Sequence, residues 1–238
     1  MSDVVTTQAL KVDIKGRHFQ LEQGETLHVL EALSFSLAAH SFTCIVGPSG
    51  CGKTTTLRMI LGLDNHYEGE IRLPGDGPVA AVFQEPRLLP WRTLEQNVRL
   101  VLPEDRREES VDELFAELGL SELRSFYPNQ LSLGLARRAA LARAFVLQPQ
   151  LLILDEPFVS LDEATAQRLR KLLLRLWQSR PTTALMVTHN VEEAVRLADR
   201  ILLFSDRPTR IVRTIDIDTP RDQREGAVLH DLIRKIQI

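Results

Sequence analysis

Cysteine is scarce in this chain of 238 residues: Cys44 and Cys51 are the only two. They exclude a disulfide framework and fit a reducing compartment. The opening stretch, residues 1–16, lacks the basic-then-apolar run of an export signal, so no secretion is expected. No apolar run approaches the roughly 20 residues that a membrane-spanning helix needs. A protein of this kind reaches a membrane only by docking onto another chain. Charge of one sign is lacking as well. The net charge of −3, with Arg-rich stretches offset by nearby Asp and Glu, gives no nucleic-acid footprint. Repeats and low-complexity tracts are missing too. What remains is a composition of 44% hydrophobic and 26% charged residues, that of an ordinary globular protein.

Short apolar runs recur, each closed by a polar or glycine-rich break: 42–47, 79–84, 151–156, 183–189 and 201–205. Runs of this length, rich in Val and Ile, read as buried strands. Helical patterns lie between them. Leu57, Ile60 and Leu61 share a face after the first run, with Gly62 near the stop. Leu169, Leu172, Leu173 and Leu176 form a stripe after the third. Strands alternating with helices predict an α/β fold with a mostly parallel central sheet. Residues 86–148 hold helical segments but no strand, which predicts a helical subdomain inserted into a core of about 1–85 and 149–215. Residues 1–41 are expected to form an antiparallel β portion, and 216–238 a C-terminal extension. The whole is expected to be a single domain.

Gly47-Pro48-Ser49-Gly50-Cys51-Gly52-Lys53-Thr54 matches G-x-x-x-x-G-K-[ST] in full. Glycines let backbone N–H groups turn inward and approach phosphates without a Cβ in the way. The helix predicted to follow presents its first N–H groups and its positive dipole end to the same anions. Lys53 supplies a mobile charge for the β and γ phosphates, and the Thr54 hydroxyl can ligate Mg²⁺. Thr55 extends the binding set. The motif follows one predicted strand and opens a predicted helix, as this chemistry requires. The expected ligand is ATP with Mg²⁺.

Asp155 and Glu156 end another apolar run. At a nucleotide, Asp155 would hold the metal and Glu156 would orient or deprotonate the attacking water. Solvated acids at a strand end are the plainer alternative. Asp112-Glu113 and Glu192-Glu193, on amphipathic helices, read as solvated faces. Gln84 and His189 also fall at the ends of apolar runs. Ligands of open α/β sheets bind outside the carboxyl ends of the strands, so Lys53, Gln84, Glu156 and His189 are expected at one crevice.

These residues, taken together, resemble the ATP-binding-cassette (ABC) ATPases, and among them the single-cassette subunits of bacterial importers. The phosphate loop, Gln84, the signature region Leu131–Leu135, Asp155-Glu156, the loop Ser160-Leu161-Asp162 and His189 occur in that family's order over about residues 10–215. The resemblance implies ATP hydrolysis coupled to transport, with Glu156 and His189 catalytic and Thr54, Gln84 and Asp155 at Mg²⁺. It implies a homodimer of cassettes in which Ser132 and Gly134 face the partner's ATP and Ser160, Leu161 and Asp162 cross the interface. It further implies an integral membrane permease as partner, a solute-binding protein acting indirectly, no nucleic acid, and a place on the cytoplasmic face of the membrane. The aromatic that stacks on adenine corresponds to Phe19, which could equally be a residue of the β-sheet core.

The signature departs from the usual LSGGQ. It reads Leu131-Ser132-Leu133-Gly134-Leu135, keeping one hydroxyl and one glycine. Leu133 would strain the backbone if a positive φ were required there. Either the variant is tolerated, or it slows the ATPase. The segment Phe83–Thr93 looks like the nitrate, sulfonate and taurine importer branch, in which Trp91 would line the groove for a permease helix. Trp91 could also be a core aromatic of the subdomain. Only 78 positions separate Lys53 from Leu131, which excludes the long coiled coil of repair-type ABC proteins. A regulatory module that binds ATP but hydrolyses little of it is the alternative function.

Overall fold

The computed structural model describes residues 8–20 and 24–237. The chain divides into two units, Met1–Asp76 with Thr183–Ile238, and Gly77–Thr182.

In the first unit, β1 (Gln8–Gln20) and β2 (Thr26–Ala38) form a long antiparallel pair. The strand β3 (Phe42–Val46) is buried at every position, as its unbroken apolar run requires of a strand covered on both faces. Then follow α1 (Lys53–Ile60) and β4 (Glu68–Arg72), which pairs antiparallel with β1. Helix α1 ends where Gly62 takes a φ of 67°, close to the stop read from the sequence.

The second unit opens with β5 (Val79–Val82). Every helix between 86 and 148 is short or medium: α2 (Leu94–Arg99), α3 (Asp112–Leu118) and α4 (Leu133–Phe145), with one 3-10 turn between the first two and two between the last two. No strand interrupts them among the described residues. The fully buried β6 (Leu151–Asp155) then pairs parallel with β5, and α5 (Glu163–Gln178) lays the predicted leucine stripe into the interior. Leu169, Leu172, Leu173 and Leu176 are all buried, each contributing roughly 1.5–3 kcal/mol by leaving water.

The first unit resumes with β7 (Thr183–Thr188), α6 (Val191–Leu197), β8 (Arg200–Phe204), β9 (Ile211–Asp216) and α7 (Gly226–Gln237). There β3 lies between β7 and β8, parallel to both, and β9 closes the edge antiparallel to β8. The fold is therefore α/β with mostly parallel strands. The edge strand β9 and the helix α7 lie outside the apolar runs read from the sequence; β9 has no fully buried position.

Candidate functional site

The phosphate loop joins β3 to α1. Gly50 has φ 77° and Gly52, the residue capping α1, has φ 116°. Both lie in the left-handed region that favours glycine. A side chain at Gly52 would also meet Leu30 Cδ2 at 3.0 Å and Val29 Cγ1 at 3.1 Å. No side chain caps α1, so its first N–H groups keep the character of an anion site. Lys53 is buried, 5% exposed, and its Nζ donates to the carbonyls of Gly47 and Pro48 at 2.8 Å each. A cation is thus held at the loop itself. Thr54 is exposed beside it and Thr55 half-buried. Burial raises the Cys51 thiol pKa, against the opposing pull of Lys53.

Phe19 lies on β1 and is 36% exposed, so it is not a core residue. The Arg17 guanidinium sits 3.8 Å from its ring centroid, a cation–π contact, and Arg17 Nε bonds Asp64 at 3.0 Å. Phe19, Arg17, Thr55, Arg58 and Asp64 line a cavity of about 340 Å³, beside the helix that the phosphate loop opens.

At the end of β7, His189 is exposed while Thr188 before it is buried. Asn190 caps α6, accepting from the N–H groups of Glu192 and Glu193. Its own N–H donates to Thr188 Oγ1. Glu193 is not on a solvated face, as the amphipathic pattern suggested. It is 9% exposed and accepts a bond from Thr188 Oγ1. A five-position spacing to the strand end conceals this, since only the chain reversal after His189 brings the carboxylate back.

In the second unit, Asp155 is 6% exposed, which removes the plain reading of a solvated strand end. Glu156 takes φ 44° and Ser160 φ 61°. A glutamate in the left-handed region is uncommon, and such conformations persist where their surroundings impose them. The anchor is Arg137 of α4, buried, whose guanidinium donates to the carbonyls of Pro157 and Val159. No sequence pattern signals Arg137, because its partners are backbone atoms some 20 residues away. Asp162 caps α5 through the Thr165 N–H, and the Thr165 side chain and amide lower its pKa. Leu161 is half-buried beside it.

Ser132 caps α4 by accepting from Leu135 N–H at 3.3 Å, so a helix opens within the signature. Leu133 is the first residue of that helix and has no positive φ. The strain considered for it does not arise. Gly134 has a packing reason of its own: a Cβ there would come within 2.9 Å of Thr165 Cγ2, at the start of α5.

Gln84 is exposed just beyond β5. Arg143 of α4 fixes the segment after it, donating to Pro86 and Arg87 carbonyls at 2.7 Å each. Buried Asn97 does the same further on, bonding Leu89, Arg92 and Thr93. The loop so braced presents Trp91 at 70% exposure. Trp91 is therefore not a core aromatic.

Among the described residues, no helix is long and apolar enough to cross a membrane. None of their His, Cys, Asp and Glu side chains gather in threes to hold a metal ion. Thr54, Gln84 and Asp155 offer oxygen donors of the kind that suits Mg²⁺, which typically keeps water and substrate phosphates as further ligands.

Residues 30–159 match the ABC transporter family. The chain is 37% identical over 227 residues to an aliphatic sulfonates import ATP-binding protein, SsuB, of Bacillus cereus, covering 92% of this chain and 90% of that protein. It is 42% identical over 206 residues to SsuB 2 of Burkholderia lata, covering 83% and 76%. Among solved structures it resembles the ATP-binding cassette MJ0796, a dimer bound to ADP and Pi, with TM-score 0.75 and 26% identity over 89% of this chain and 100% of that one. With a family match over more than half its length and relatives of this identity, the chain belongs to the ABC transporter family.

Proposed function

We propose that this protein is the ATP-hydrolysing subunit of an importer for aliphatic sulfonates or closely related small anions. The single observation that carries the ATPase reading is the phosphate loop: a complete motif, folded between a buried strand and an uncapped helix, with Lys53 held at its carbonyls. ATP hydrolysis coupled to transport follows from family membership. The substrate class rests on the relatives, which are sulfonate import proteins at 36–42% identity.

In this reading Gly47–Thr55 take the nucleotide phosphates and Phe19 stacks on adenine. Thr54, Gln84 and Asp155 serve Mg²⁺. Glu156 acts as the base toward water, and His189 contacts the γ-phosphate. Ser132 and Gly134 face the nucleotide of a second copy, and Ser160–Asp162 meet that copy at the interface. The MJ0796 cassette is a dimer, which supports the same assembly here. Trp91 and the helical region 86–148 receive a membrane permease on its cytoplasmic side, and a solute-binding protein delivers cargo to that permease.

The test is Mg²⁺-dependent ATP turnover by the purified chain together with its permease, in vesicles loaded with ATP. Uptake of an alkanesulfonate that stops when ATP is replaced by ADP is expected. Uptake independent of ATP sinks the transport reading, and ATP turnover without sulfonate uptake sinks the substrate assignment.

A further inference from the structure

The outer wall of the phosphate loop is built by the turn between β8 and β9, and that turn carries an exposed arginine bonded to the loop's backbone. Arg207 Nε donates to the Gly50 carbonyl at 2.5 Å. Two residues on, the fully buried Thr209 donates its hydroxyl to the Cys51 carbonyl. Behind them Phe204 closes on Gly47, where a Cβ would meet Phe204 Cβ at 2.9 Å. Thr209 is itself fixed to β2: its N–H donates to Val29 O at 2.9 Å, and its carbonyl accepts from Glu31 N–H at 3.0 Å.

The consequence follows from the planarity of the peptide bond. In a trans peptide the C=O of one residue and the N–H of the next point in opposite directions. Grips on the Gly50 and Cys51 carbonyls therefore set the directions of the Cys51 and Gly52 N–H groups, the first of which also closes the loop on the Pro48 carbonyl at 3.3 Å. Glycine cannot supply this restraint itself, because its backbone is the least constrained of any residue. A guanidinium bonded to a peptide carbonyl also polarises that peptide and strengthens the N–H as a donor.

We propose that Arg207, seconded by Thr209, is a positioning residue for nucleotide binding, which holds two phosphate-loop peptides in their anion-binding orientation without touching the nucleotide. This rests on the nucleotide reading of the loop. Arg207 lies on the surface, so its substitution leaves the folded chain intact, and the effect is read in affinity.

The probes are ADP and ATP, titrated into the full chain by calorimetry, with melting temperatures recorded with and without ADP. Arg207→Ala is expected to weaken both nucleotides about tenfold, equivalent to about 1.4 kcal/mol. The nucleotide-free melting temperature stays put, while the ADP-induced rise shrinks as mass action requires. KM for ATP rises, and kcat at saturation changes less than twofold. Arg207→Gln, neutral but still a donor, recovers part of the affinity. Wild-type affinity in Arg207→Ala overturns the proposal. So does recovery by Arg207→Lys with none by Arg207→Gln, which assigns the effect to charge alone. If the wild-type chain binds neither ADP nor ATP, the nucleotide reading itself fails, a separate result.

Discussion

Thr188 Oγ1 donates a 2.8 Å hydrogen bond to the Glu193 carboxylate, a pair buried directly behind His189. The same threonine oxygen accepts from Asn190 N–H at 3.0 Å, so both neighbours in this turn are tied to one hydroxyl. The turn that carries His189 is thereby fixed on the side away from solvent. Thr188→Val keeps the shape and removes the hydroxyl. A buried carboxylate that loses a donor costs about 1–3 kcal/mol. In a chain of this size each kcal/mol lowers the melting temperature by about 2–4 °C. Calorimetric melting checks the cost, and ATP turnover is expected to fall with it because His189 is less well placed. A variant with unchanged melting and turnover contradicts this account of the turn.

Lys53→Ala removes the side-chain cation bonded to the Gly47 and Pro48 carbonyls. A charge-assisted phosphate contact goes with it. ATP affinity is expected to fall by more than tenfold and turnover to become undetectable. A filter-binding assay and phosphate release measure the two, and wild-type activity in this variant sinks the catalytic reading.

Glu156→Gln keeps the shape of a residue already held at a positive φ and removes the base. Turnover is expected to drop at least a hundredfold, within the range for loss of general-base catalysis, with ATP affinity nearly unchanged. With ATP and Mg²⁺ the variant should elute as a dimer in size-exclusion chromatography. A monomer at saturating ATP argues against the two-cassette assembly for the isolated chain.

The signature leucines invite a double variant, Leu133→Gly with Leu135→Gln. Leu133 sits in the first turn of α4 without backbone strain, so glycine there relieves nothing and weakens the helix by up to about 1 kcal/mol. Turnover measured with the permease is expected to change only a few-fold. A gain above roughly tenfold, about 1.4 kcal/mol of barrier, would show that the leucines hold the enzyme slow.

Trp91→Ala removes a side chain that is 70% exposed, and surface changes of this kind usually alter stability by less than about 0.5 kcal/mol. Melting is expected to stay within about 2 °C of wild type. Co-purification with the permease should be lost, because a large exposed aromatic is the kind of anchor that interfaces use. Retained capture by the permease removes Trp91 from the docking surface.

The sequence by itself determined the phosphate loop, the buried strands β3, β6 and β7 and the leucine stripe of α5. These depend on neighbours in the chain: glycines at fixed spacing, unbroken apolar runs and the 3.6-residue period. Only the tertiary structure decided which side chains are buried without being apolar and which are apolar without being buried. Glu193 looked like a solvated acid until the turn after β7 brought it under Thr188. Trp91 could be read as core until Asn97 fixed the loop that exposes it. Arg137, Arg143 and Arg207 left no pattern at all, because each donates to backbone carbonyls. A carbonyl is the same in every residue, so a sequence records nothing of which one an arginine will meet.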